Sequence, residues 1–272
     1  MQIRYIGSTW GIECPTIDGT LEKLRSAGFE GIEMGAPADP GERRAFKRSL
    51  QEQGMALVAQ QWTAGATPGE HAASFEAQYR RNIELEPLLV NSHTGKDFYS
   101  LEENIAIFQR AAELEEEFGV PIAHETHRGR ALYSTTSALA LLDRIPALRL
   151  TADFSHWSCV HESLLEDQGE SVARAVGRTL HIHARVGYPE GPQVPDPRDP
   201  AWKDAVNAHF RWWQMIIDHH RKAGSAFVTV TPEFGPPHYM HTLPYSQEPV
   251  ADLWEVDRAM KEMLVTRLTL RP

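Results

Sequence analysis

Short apolar runs and longer amphipathic runs alternate along the whole chain. Apolar runs that read as strands fall over 2–7, 31–34, 55–60, 88–92, 121–125, 148–153, 179–184 and 226–231. Between them, apolar residues recur at helical spacing over 18–27, about 40–53, 69–84, 101–118 and 134–143, then in a stretch reaching about 178, over 201–223 and over 248–265. Gly28, Gly54, Gly119 and Gly224 stand where four of these helices should stop, because a residue without Cβ closes a helix in the left-handed region at least cost. Eight alternations with short connections predict a parallel sheet, and eight such strands close into a single (β/α)8 barrel spanning 1–272. A doubly wound open sheet is the alternative, but no Gly-x-Gly-x-x-Gly turn follows the first strand.

One segment breaks the rhythm. Residues 187–200, from Gly187 to Pro200, are rich in proline and glycine and cannot form regular structure. A long loop after the seventh strand of a barrel lies on its active face, so this segment is expected to be lid-like.

Composition narrows the function classes. The chain has 272 residues, 42% of them hydrophobic, which is enough for a substantial core. Its net charge of −10 and the lack of a long basic run give no footprint for nucleic acid. No apolar stretch approaches the ~20 residues that span a bilayer, and the start carries no signal pattern. Cys14 and Cys159 form no metal-type pair and read as reduced thiols, so a cytoplasmic protein is expected, with no membrane partner and a homo-oligomer left open.

Four strand ends carry the chemistry. Glu125, Asp153, His183 and Glu233 each follow an apolar run, at spacings of 28, 30 and 50 residues. A barrel spends about 30 residues per strand–helix unit and keeps its reacting groups where the strands end. Three carboxylates and an imidazole meeting there would repel one another without a cation between them. Such a donor set suits one divalent ion, Mn²⁺, Co²⁺, Mg²⁺ or Zn²⁺. Taken singly, each acidic residue reads as a helix cap or surface charge; the shared position at strand ends is what argues for a metal. Alternation also sends Glu33, Gln60 or Gln61, Asn91, His127 and Thr231 towards the interior. His156 can ligate or hold a substrate oxygen, or be a hydrogen-bonded helix-start histidine. Arg185 can clamp a hydroxyl or anion, or pair with an acidic ligand. His93 can bind a substrate oxygen or a second metal, or cap a loop. Trp10, Trp62, Trp157 and Tyr188 can wall a sugar site or serve as packing. His209, His219 and His220 read as solvated or packing residues, and His124 and His161 carry no assigned role.

The chain resembles the xylose isomerase-like barrel superfamily, the sugar phosphate isomerase/epimerase group, over nearly its full length. The resemblance rests on Asp153-x-x-His156, on His181-x-His183 followed by Arg185, on Glu233, and on the stretches 91–97 and 125–130. It implies that Glu125, Asp153, His183 and Glu233 hold the metal, that Glu125 and Glu233 also move protons, and that His156 and Arg185 contact substrate. The DNA-repair branch of the same superfamily carries an Asp-x-His pair after its seventh strand; Asp196-Pro197-Arg198 stands here instead. The expected activity is therefore isomerisation or epimerisation of a keto sugar or related polyol ketone through an enediolate, with His93, His156 and Arg185 binding substrate. A dehydratase of the inosose or dehydroshikimate type is the alternative on the same barrel, and a non-catalytic sugar-binding barrel is a second one.

Overall fold

The computed structural model describes residues 1–12 and 14–270. Eight parallel strands close into a barrel in sequence order: β1 (Gln2–Ser8), β2 (Gly31–Met34), β3 (Ala56–Trp62), β4 (Leu89–His93), β5 (Ile122–Glu125), β6 (Leu150–Ala152), β7 (Thr179–His183) and β8 (Phe227–Thr231). Closure is made by β1 against β8, with Gln2 opposite Phe227 and Tyr5 opposite Val230. The expected fold, a single (β/α)8 barrel, is the observed one.

The outer helices are α1 (Ile17–Ser26), α2 (Pro40–Gln53), α3 (Pro68–Ile83), α4 (Leu101–Phe118), α5 (Thr135–Arg144), α6 (Phe154–Val160), α7 (Gly169–Val176), α8 (Lys203–Lys222) and α9 (Leu253–Arg267). Their starts are written in side chains that satisfy otherwise orphaned N–H groups. Thr67 with Glu70, and Ser100 with Glu103, form reciprocal capping boxes at α3 and α4. Asp39 caps α2 ahead of Pro40, and Gly54 ends that helix at φ 65°. Apolar faces of these helices bury Phe46, Phe75, Tyr79, Phe108, Trp213 and Met260 against the outside of the strands.

The barrel interior is stratified. Its lower end is plugged by Ile6, Val58, Leu89 and Ala123. Above them, alternation along each strand raises polar side chains towards the C-terminal rim. This polar tier is where the site lies.

Three boundaries differ from expectation. Strand β6 is only three residues long, so Asp153 lies just past it and caps α6, accepting from Ser155 N at 3.1 Å. The helical stretch after it is two helices, separated by 161–168. The last helix starts at Leu253 rather than 248, because Asp252 accepts from Glu255 N and the preceding residues form a loop with Thr242 bridged to Pro249.

The segment 187–200 is fixed by packing. Val194 N donates to Val186 O, Val194 is fully buried, and Gln193 exchanges hydrogen bonds with both backbone groups of Gly235. Gly187 passes so close to Ser155 that a Cβ there would stand 2.5 Å from its carbonyl oxygen. The loop thus braces the ends of β6 and β8 from outside.

Candidate metal centre and substrate cavity

Strand β5 delivers Glu125, β7 delivers His183, and the turns after β6 and β8 deliver Asp153 and Glu233. One donor atom from each of the four lies within 4.8 Å of all the others. Exposure is 1%, 0%, 0% and 4% for Glu125, Asp153, His183 and Glu233, so water does not screen the three carboxylates. Two like charges 4 Å apart repel by about 4 kcal/mol even at an effective dielectric of 20. The arrangement therefore calls for positive charge at its centre.

The orphaned atoms show where. His183 Nδ1 lies 2.8 Å from Glu233 Oε2 and 3.5 Å from Glu125 Oε2, yet out of line for a hydrogen bond. This nitrogen and Glu125 Oε1 are buried without a hydrogen-bond partner among the described residues. Burial alone would discharge His183, but the Glu233, Glu33 and Glu125 carboxylates hold its pKa well above the imidazole norm. Burial likewise opposes ionisation of Glu125, and the His93 and His183 rings hold it well below the usual carboxylate range. An imidazole nitrogen and a carboxylate oxygen without hydrogen-bond partners, with two further carboxylates alongside, fit a divalent ion that would take the place of the imidazolium proton. The four residues form a group that can hold a metal.

The other face of His183 is built just as specifically. Its Nε2 donates to Glu33 Oε1 at 2.9 Å, and Asn91 Nδ2 donates to the same oxygen at 3.0 Å. Glu33 Oε2 accepts from Thr231 Oγ1 at 2.7 Å and faces His181 Nε2 at 3.1 Å. Burial works against this carboxylate, but His183 and His181 hold it far below the ordinary range. Glu33 therefore fixes the His183 tautomer and leaves Nδ1 for the centre.

Arg185 is the second organising group. It is ion-paired to Asp153, donates from Nη2 to His156 Nε2 at 2.8 Å and from Nε to Ser155 Oγ at 3.2 Å, and reaches the Glu233 carbonyl at 3.3 Å. It thus ties together the ends of three strands, the salt-bridge alternative that the sequence left open for it. Burial, then the neighbouring His127 and Arg185, keep His156 neutral, with its pKa well below the imidazole norm. Even with this guanidinium beside it, burial raises the Asp153 pKa to about 6.

Above the centre opens a cavity of about 430 Å³, with Gln60, Arg185 and Glu233 at its floor. Trp10, Trp62 and Tyr239 give it aromatic walls, and His93, His127 and Arg130 a polar one. Gln60 Nε2 donates to Glu233 Oε1 at 3.2 Å, and His93 Nε2 stands 2.8 Å from Glu125 Oε2. Two wider hollows lie between outer helices, and among the described residues neither contains a converged donor set.

Most of the residues singled out from sequence meet here: Glu125, Asp153, His183 and Glu233 at the centre, His156 and Arg185 beside them, and His93, Trp10 and Trp62 at the cavity. Trp157 does not; it is fully buried, stacked on Phe154 at 4.7 Å and donating to the Leu132 carbonyl. Tyr188 packs on Trp202 instead, and no residue of 187–200 lines the cavity. Tyr239 had no place in the sequence reading, and Arg130 entered it only within the stretch 125–130, with no role of its own. Tyr239 comes from an irregular loop without periodicity; Arg130 follows Glu125 by five residues, and that proximity was the one available signal.

Comparison with known proteins agrees with the geometry. Solved structures with the same fold include D-allulose 3-epimerase from Methylomonas sp. in complex with D-allulose, at 16% identity over 98% of this chain and 97% of that one, TM-score 0.63. A probable 3-DHS dehydratase involved in petrobactin synthesis from Bacillus anthracis matches at 14% identity over 97% and 99%, TM-score 0.63. Endonuclease IV from Thermus thermophilus matches at 14% identity over 96% and 99%, TM-score 0.61. Identities this low establish the fold alone. No curated protein sequence matches the chain. Among the described residues no helix is long and apolar enough to cross a membrane. A family model described as xylose isomerase-like TIM barrel matches residues 21–224, and with the closed barrel and the rim site it places this chain in the xylose isomerase-like TIM barrel family.

Proposed function

We propose that the protein is a divalent-metal-dependent isomerase or epimerase acting on a keto sugar or related polyol ketone. The observation that carries this reading is the convergence of Glu125, Asp153, His183 and Glu233 donor atoms within 4.8 Å, with His183 Nδ1 and Glu125 Oε1 left unpaired. These four residues would hold one Mn²⁺, Co²⁺, Mg²⁺ or Zn²⁺. When bound, such an ion polarises a substrate carbonyl as a Lewis acid.

The protein's own groups supply the proton chemistry. Glu125 and Glu233 flank His183 from different strands, so one can take the proton beside the carbonyl while the other, carrying a proton taken up from solvent, returns it to the resulting enediolate. Gln60 orients Glu233, and Asn91 orients Glu125, donating to its Oε2 at 3.3 Å. His156, held neutral by burial, and His93 are available to a substrate oxygen. The aromatic walls present ring faces to C–H surfaces and keep water from the reacting carbon. A cavity of about 430 Å³ in a chain of net charge −10 suits a small polyol better than duplex DNA.

The test has two readouts. Protein purified without chelator should carry about one dication per chain, and incubation with keto sugars in heavy water should place deuterium on the carbon beside the carbonyl. Glu125→Gln and Glu233→Gln should each abolish that exchange. Product formed with no solvent hydrogen would reject the enediolate route, and loss of water with a new conjugated absorbance would point to a dehydratase.

A further inference from the structure

Two guanidiniums reach the cavity, in opposite states. Arg185 is buried and neutralised by Asp153. Arg130 lines the cavity, and its side chain makes one hydrogen bond among the described residues, from Nη1 to the Thr63 carbonyl at 2.9 Å. Thr63 is itself buried and bonded through Oγ1 to the His93 carbonyl and Gly95 N, so the anchor is rigid. Among the described residues no carboxylate pairs with Arg130, although partial burial makes an uncompensated charge costly. Burial draws its pKa below the guanidinium norm against the opposing pull of Glu125 and Asp97.

His93 and His127 line the cavity with Arg130. The Arg128 guanidinium lies over the Tyr239 ring at 5.1 Å, on the rim. In a chain of net charge −10, a guanidinium that no carboxylate pairs with, inside a cavity, marks the place where an anion is locally favoured. A guanidinium with one edge tethered and the other free presents the fork that carboxylates and phosphates accept. Arg185 cannot serve this role, because Asp153, His156 and Ser155 occupy its donors.

We propose that the substrate carries an anionic group, a carboxylate or a phosphate, and that Arg130 binds it through the guanidinium edge not held by Thr63. The inference rests on the keto-sugar reading of the same site and narrows it to keto sugar acids or sugar phosphates.

Calorimetric titration of the metal-loaded, full-length protein with D-fructose, D-fructose 6-phosphate and 5-keto-D-gluconate tests it. At least one anion should bind about tenfold to a hundredfold more tightly than D-fructose, the range of a charge-assisted hydrogen bond. The favoured anion tells phosphate from carboxylate. Arg130→Gln should erase the margin between anion and D-fructose; Arg130→Lys, keeping the charge without the fork, should retain part of it. Thermal melts of both variants check the fold, and the wild-type comparison needs no variant. Equal binding of all three compounds, no binding of either anion, or a margin that survives Arg130→Gln overturns the inference. Anion preference without deuterium exchange sinks the enediolate reading and keeps the subsite; exchange on D-fructose without anion preference does the reverse.

Discussion

Glu33 Oε1 accepts the His183 Nε2 proton at 2.9 Å, joining residues 150 positions apart through the barrel interior. The bond decides which imidazole nitrogen faces Glu125 and Glu233. Glu33→Gln keeps the shape but presents an amide that donates or accepts with equal ease, so the tautomer is no longer imposed. Partners of this kind typically change metal affinity by about 10–100-fold. The variant should fold, and competition against a fluorescent chelator should show dication affinity weakened by that order. An unchanged affinity would mean that Glu33 only fills the interior.

Asp153 and Arg185 form an ion pair with side-chain exposures of 0% and 1%. Breaking one partner of such a pair leaves a buried charge alone and typically costs about 3–5 kcal/mol. Asp153→Asn should therefore lose both metal and stability, the second seen in urea unfolding. Adding Arg185→Met removes the stranded guanidinium and should recover much of the stability without recovering metal. If the double variant is no more stable than Asp153→Asn, the stability loss comes from the α6 cap and not from the charge.

Much of this was legible in the sequence because two periodicities carry it. Alternation within a strand and the ~30-residue repeat of the barrel suffice to bring Glu125, Asp153, His183 and Glu233 to one rim. The contacts that tune them were not legible. Glu33 could be read as inward-facing, but its meeting with His183 depends on how β2 and β7, which are not neighbours in the sheet, approach across the closed interior. Arg185 offered two partners of equal chemistry, a substrate anion or Asp153, and only coordinates choose between them. The expected lid at 187–200 shows the limit of composition: prolines and glycines exclude regular structure, but they do not reveal that Gln193 and Val194 within this segment are buried. Tyr239 was invisible for the same reason, lying in a loop that no periodicity describes.

Removing the metal should be felt by the fold. A ligand that binds only the native state at a thousand times its Kd stabilises it by about 4 kcal/mol. For a chain of this size that is roughly 8–16 °C in Tm. Dialysis against EDTA should lower Tm by that order, and added Mn²⁺ or Mg²⁺ should restore it. Asp153→Asn should melt at one temperature with or without chelator. A wild-type Tm indifferent to EDTA would count against a metal at these four residues.

His209 should give the protein an acid-sensitive joint. Its ring is fully buried on α8, with Nδ1 donating to the Ala205 carbonyl at 2.9 Å and Nε2 accepting from Gly187 N at 3.2 Å. Both nitrogens are used only by the neutral tautomer, and protonation would set Nε2–H against the Gly187 N–H. Burial is the largest cause of a pKa lowered from 6.5 to about 4; the Ala205 carbonyl opposes it, and Arg185 and Arg211 reinforce it. The folded state thus binds the proton more weakly than the unfolded chain. Its contribution to stability is complete above pH 6.5 and is lost as pH falls through the folded value near 4. Between pH 7 and pH 5 the loss is about 2 kcal/mol. His209→Gln can keep one donor and one acceptor at this place without titrating. Urea unfolding of both proteins at pH 7 and pH 5 should show the variant's acid loss smaller by about that amount. Parallel losses would show that His209 does not carry the acid sensitivity, and that the buried His124, whose pKa burial lowers to about 3, or the rim carboxylates carry it instead.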